Sequence, residues 1–231
     1  MRNQVLYTAV GRLRSHIDRE STKHPIILIG SREFLVDPQE FMIWISLNWR
    51  ICTWDEIGKH YERYAAQTGY KNPRTWEACV NRLLTRGLLA SGSGETLYDA
   101  LYDLLSSMYI VPTMCSFPLR LYAVGRMMIM GKVPIPVAVR FLRFYHHSAS
   151  EKQIIQFAKK TSLTVAEVIC CIEKRVVSIK DDAALMDAIY TDENDTSENI
   201  AMTAKGHQCC KDTLETVANL YLNKQLIFER A

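Results

Sequence analysis

The stretch that decides the fold runs from Asp37 to Glu95: DPQEFMIWISL (37–47), TWDEIGKHYERYAAQ (53–67), NPRTWEACVNRLLTRG (72–87) and LLASGSGE (88–95). It reads as three short helices, a strand and a Gly-Ser-Gly turn. Asp37 is an N-cap, Pro38 takes the first helical position and Glu40 completes a capping box, which satisfies N–H groups that a helix start leaves orphaned. Phe41, Trp44, Ile45 and Leu47 give that helix an apolar side. Thr53 with Glu56 opens the second helix, and Ile57, Tyr61 and Tyr64 line one of its faces. Asn72-Pro73 opens the third. Trp76, Val80, Leu83 and Leu84 point to the core, and Gly87 supplies the left-handed residue that ends it. The third helix is thus expected over 73–86, with a hairpin-like turn at 91–94.

Upstream, residues 1–23 carry Val5, Leu6, Val10, Leu13 and Ile17 at helical spacing and predict an N-terminal helix. HPIILIGSREFLVD (24–37) then reads as a β-hairpin around Gly30-Ser31. Downstream, ETLYDALYDLLSSMYIVP (95–112) predicts a fourth helix, and the prolines at 112, 118, 134 and 136 bound a connecting helix over 112–135. Residues 136–231 read as a second helix-turn-helix unit. It has a helix over 136–147, a helix opened by Ser150 and another opened by the Thr164–Glu167 capping box. The chain closes with a helix carrying Leu214, Val217, Leu220 and Tyr221 inward, followed by a terminal strand. VVSIKDDAALMDAIY compares loosely with GLLASGSGETLYDALYDLL and hints at a duplication. The expected class is mainly α with small β-hairpins, divided at 1–23, 24–111, 112–135 and 136–231.

Composition bounds the function. With 48% hydrophobic and 23% charged residues, the chain describes an ordinary globular protein. No apolar run approaches the roughly 20 residues that span a bilayer, and the first residues lack an apolar signal-peptide region, so a cytoplasmic location is expected and no membrane partner. The formal charge of +3 is mild but uneven: residues 1–90 hold 13 Lys/Arg against 9 Asp/Glu, residues 148–231 hold 10 against 13. Attraction to phosphate therefore favours the N-terminal half. Seven cysteines, an odd number, argue against a disulfide framework. The pairs Cys170-Cys171 and Cys209-Cys210 match no common zinc spacing, so no metal is expected. No HExxH, GxSxG, GxGxxG or Walker loop occurs, and neither an enzyme nor a cofactor is expected.

The segment VNRLLTRGLLASGSG (80–94) resembles the end of a reading helix running into a wing, as in bacterial-type winged-helix transcriptional regulators, and the resemblance covers residues 24–111. It implies a tandem winged-helix or helix-turn-helix protein that binds double-stranded DNA as a homodimer. On that reading Arg74, Thr75, Glu77, Ala78, Asn81 and Arg82 face the groove, since Arg and Asn make bidentate contacts to base edges. Lys71 and Arg86 are placed for phosphates, and Ser91 and Ser93 for a wing tip without charge. The hairpin followed by LVDPQEFMIWISLNWRICTWDEIGKHY (35–61) also resembles the peptide-recognition domains related to the small chaperone of pyrroloquinoline quinone synthesis. That likeness implies a peptide or protein partner added to the sheet edge near Ile26–Val36.

Overall fold

The computed structural model describes residues 3–17, 23–68, 74–113, 147–176, 182–191 and 195–230. The fold is mixed α/β, with helices making up about 54% of it and small antiparallel sheets around a continuous hydrophobic core, so the expected helical class with small β elements holds at that level. Among the described residues the strands are β1 Gln4–Ala9, β2 Arg12–Ile17, β3 Lys23–Ile29, β4 Arg32–Leu35, β5 Leu89–Gly94, β6 Tyr109–Pro112, β7 Leu163–Thr164 and β8 Leu226–Glu229. The helices are α1 Pro38–Leu47, α2 Trp54–Thr68, α3 Trp76–Thr85, α4 Leu97–Leu105, α5 Ala149–Lys160, α6 Val165–Glu173, α7 Asp182–Ile189, α8 Ser197–Ala204 and α9 Cys210–Leu222.

The helix starts follow their caps. Asp37 accepts the Glu40 N–H at 2.8 Å and Glu40 accepts the Asp37 N–H at 3.3 Å, closing the expected box of α1. Trp44 is fully buried and its indole N–H donates to the Val10 carbonyl at 3.0 Å, so the largest core side chain also satisfies a backbone acceptor.

Four expectations are corrected. Residues 4–17 form two strands, not a helix: Gly11, at φ +89°, breaks the run, and a Cβ there would lie 2.4 Å from the Leu28 carbonyl oxygen. The third helix starts at Trp76 with Thr75 as its N-cap, so Arg74 and Thr75 precede it; Asn72 and Pro73 lie outside the described residues. The fourth helix ends at Leu105, and Tyr109–Pro112 is a strand. The cap of α5 is Ser148, boxed with Glu151, rather than Ser150. Apart from Pro112 and Thr113, the connecting helix over 112–135 lies outside the described residues, as does the helix over 136–147 except for its last residue, His147.

The chain repeats one plan twice, in a different alignment from the one its sequence hints at. In the first half Tyr7 pairs with Cys52 on one side and Ser91 on the other. In the second half Ile110 pairs with Leu163 and Phe228. Each inner partner is followed by a threonine that opens a helix: Thr53 gives its N–H to Glu56 at 2.8 Å, and Thr164 gives its N–H to Glu167 at 2.7 Å. Thr53 lies sixteen residues after the cap of α1, and Thr164 sixteen after the cap of α5. Each outer partner lies four residues after a left-handed residue, Gly87 at φ +72° and Lys224 at φ +62°. Helix α1 thus corresponds to α5, α2 to α6 and α3 to α9. The first half inserts the β2–β3–β4 sheet between β1 and α1, and the second inserts α7 and α8 between α6 and α9.

Candidate nucleic-acid interface

Helix α3 buries Cys79, Val80 and Leu83 and turns Thr75, Ala78, Asn81, Arg82 and Thr85 outward, with Glu77 half-buried beside them. The structure therefore gathers six of the expected groove residues on or just before one helix. Lys71 lies outside the described residues.

The arginines are already engaged. Arg74 forms an ion pair with Asp37, and Arg82 Nε lies 3.0 Å from one Glu40 oxygen while Arg86 Nη1 lies 2.8 Å from the other. Glu40 is 1% exposed, so the carboxylate that closes the capping box of α1 is also the anchor for both arginines. Arg86 donates further to the Leu35 carbonyl. Partial burial pushes the Asp37 carboxyl up, but the Glu40 backbone N–H and the Arg74 guanidinium outweigh it and hold it below its ordinary value. Asp37 and Glu40 thus position the arginine side chains and absorb part of their charge. Arg82 remains 56% exposed, its two Nη groups holding no partner among the described residues. The side chain of Asn81 likewise holds none and is exposed.

Ser91 and Ser93 do not form a wing tip. Both lie within β5, opposite Tyr7 and Val5 of β1. The glycines that alternate with them serve packing: a Cβ on Gly92 would lie 2.2 Å from the Leu104 backbone nitrogen, and one on Gly94 2.5 Å from that of Ala100. Ser93 N–H donates to Asp103 at 2.7 Å, on the wall of a cavity of about 580 Å³ that also holds Glu95 and Asp99. Lys205 neutralises Asp99 at 2.7 Å, so the remaining acids make this wall hostile to phosphate.

A basic concavity of about 330 Å³, not legible in the sequence, lies beside α3. Arg32, Arg86 and Arg230 line it together with Ile29, Phe34 and the turn residues Gly30, Ser31 and Gly87. Arg32 and Arg230 are exposed and hold no ion pair among the described residues. Glu229, the nearest acid on β8, is taken up by the Gly30 N–H at 2.9 Å and by Arg12 at 3.9 Å. No local motif announces this site, because its three arginines lie at the start of β4, at the end of α3 and just after β8.

The second half offers a poorer surface. Val165, Ala166, Ile169 and Cys170 of α6 are buried. The exposed face of α9 sets Asp212 and Glu215 against Lys211. Cys170, Cys171 and Cys210 are buried thiols, and among the described residues no three of His, Cys, Asp and Glu are placed to hold a metal ion. No described helix is long and apolar enough to cross a membrane.

No protein-family model, curated protein or solved structure matches this chain.

Proposed function

We propose that this protein is a cytoplasmic, non-enzymatic DNA-binding regulator built from two winged-helix units, which docks α3 of its first unit against the major groove. The observation that carries the reading is the outward stripe of α3, where Asn81 and the Arg82 Nη groups are uncommitted, flanked by the basic concavity at its C-terminal end. Asn suits bidentate contact with adenine, Arg with guanine or phosphate. The repeated strand and helix order supports the tandem unit, with β1 and β6 as the central strands. The acidic face of α9 supports a one-sided contact, so a second chain, in a homodimer, supplies the second half-site.

The test is a salt series of binding to genomic duplex fragments, followed by fluorescence anisotropy, for the parent and for Asn81→Ala/Arg82→Ala. The parent should lose affinity steeply with salt, as counterion release requires, and the double variant should bind more weakly by about 1–3 kcal/mol. No binding by the parent at low salt would sink the reading.

A peptide-docking reading is favoured by one observation, the edge strand β4. Leu35 is 66% exposed, and its carbonyl meets Arg86 and so points away from β3. By strand alternation the Glu33 N–H and C=O face the same open edge. β-Augmentation predicts that Leu35→Asp abolishes binding of an extended peptide, whereas DNA docking predicts no effect from that change beyond added negative charge.

A further inference from the structure

The basic concavity beside α3 unites features that ordinary surface arginines lack. Its walls come from three separate parts of the chain: the β3–β4 hairpin, the end of α3 and Arg230 just after β8. Its volume of about 330 Å³ falls within the range of small-ligand sites, well above the space of one water. One of its three guanidiniums, Arg86, is fixed by Glu40 and the Leu35 carbonyl, which makes that side of the site rigid. The other two are uncompensated, and the Ser31 hydroxyl on the turn adds a neutral donor without a partner among the described residues. The carboxylate of Glu229, the residue before Arg230, is held by the Gly30 N–H and by Arg12. Two unpaired guanidiniums held about a concave, partly apolar wall suit a tetrahedral oxyanion, since the planar fork of Arg matches phosphate geometry.

We propose that this concavity is a phosphate-binding site in which Arg32 and Arg230 grip the phosphate while Arg86 orients the wall behind it. The inference deepens the DNA reading and rests on it only for the source of the phosphate, a duplex backbone rather than a free phosphorylated molecule. It also replaces the role that the uncharged Ser91–Gly94 segment does not fill, placing the phosphate grip on the hairpin at the opposite end of α3 from Arg74.

The experiment follows the arginine Nε–Hε signals of Arg32 and Arg230 by NMR while either inorganic phosphate or a twenty-base-pair duplex is added to the full chain. Arg32→Gln/Arg230→Gln is tested alongside in the salt series. Neither residue holds an ion pair among the described residues, so the variant should melt close to the parent, with Arg32→Gln alone as the milder control because Arg230 is partly desolvated. The expected result is that the duplex shifts both signals, while the variant binds roughly tenfold more weakly with a salt slope shallower by about 1 to 2. Shifts with phosphate but no binding of duplex would keep the site, assign it to a free phosphorylated molecule and overturn the DNA reading. Duplex binding with unmoved signals and an unchanged variant would overturn the site and leave the DNA reading standing. No response to either probe would overturn both.

Discussion

The hydroxyls of Thr8 and Tyr221 lie 2.8 Å apart, joining the central strand of the first half to the last helix of the second. A hydroxyl has one proton, and the Arg50 carbonyl 2.8 Å from Thr8 Oγ1 takes the one Thr8 owns. Tyr221 accepts the Trp49 N–H at 3.0 Å and its own proton has the Thr8 oxygen and, at 3.4 Å, the Ala9 carbonyl within reach, so the hydroxyl pair links Trp49 through Tyr221 and Thr8 to Arg50. Burial pushes the Tyr221 phenol up to about 12, so its proton stays in place throughout the physiological range. The relay also pins Trp49 at φ +58°, a left-handed conformation that a bulky residue adopts only when its surroundings hold it there.

Tyr221→Phe should lower stability by about 1–3 kcal/mol, because it leaves the Trp49 N–H and the Thr8 oxygen without their partner. Urea melts of Tyr221→Phe, Thr8→Val and the double variant measure the coupling. Additive single losses would show that the relay does not act as a unit.

Glu40 gathers the N–H of Asp37 and two guanidiniums on a side chain with almost no exposure. Glu40→Ala should cost about 3 kcal/mol, since it removes the capping partner and the carboxylate shared by Arg82 and Arg86, leaving Arg86 only its bond to the Leu35 carbonyl. Glu40→Gln keeps the volume and an acceptor oxygen and should cost less. A melting midpoint for Glu40→Ala equal to that of the parent would remove Glu40 as the anchor of the α3 arginines.

Much of this was legible from local chemistry. The boxes at Asp37 and Thr164 mark real helix starts, because a cap is decided by residues within one turn. The errors arise where a distant element decides. Gly11 looks like a tolerated break in an amphipathic helix, yet the Leu28 carbonyl packed against it requires a residue without Cβ and at positive φ. SGSG reads as a turn by composition, but the glycines are there because α4 lies directly against β5. Arg74 and Arg86 read as ligand-facing from helical spacing, and only the placement of α1 shows that Asp37 and Glu40 meet them. The Arg32–Arg86–Arg230 site could not be read at all, because its members are separated by most of the chain.

The glycines of β5 yield a direct contrast between the turn and strand readings. Gly92→Ala should destabilise by about 3 kcal/mol, since its Cβ would fall 2.2 Å and 2.4 Å from backbone atoms of Leu104, and a helix must move to admit it. Ser91→Ala, on the exposed side of the same strand, should change stability by less than about 0.5 kcal/mol. In a hairpin turn the glycine substitution would be mild, so equal melting curves for the two variants would refute the packing of β5 on α4.

Asp37 sets part of the acid sensitivity. Its carboxyl titrates below the unfolded value of about 3.9, so its contribution to stability is complete above that pH and disappears as pH falls through the lower folded value. Asn keeps an acceptor for the cap but not the charge facing Arg74. Asp37→Asn should therefore be less stable than the parent near pH 7, with the gap closing as pH drops below about 4. Chemical melts at pH 7, 4 and 3 decide this, and a gap that widens with acid would reverse the assigned sign.

The buried cysteines of the described core carry a reactivity prediction. Burial pushes the Cys52 thiol up to about 11 and the Cys171 thiol up to about 12. Cys209 rises to about 11, by burial first and then by the Glu173 carboxylate beside it, and Cys79, Cys170 and Cys210 are raised by burial. Since the thiolate is the nucleophile and the metal ligand, a thiol near 11 presents roughly a thousandth of its population in reactive form at pH 8. Iodoacetamide at pH 8 should leave all six of these cysteines unlabelled in the folded protein over an hour and label them in urea, as read by mass spectrometry. Rapid native labelling of Cys209 or Cys210 would show a depressed thiol there, of the kind a metal or redox site requires, and would return the Cys209-Cys210 pair to functional candidacy.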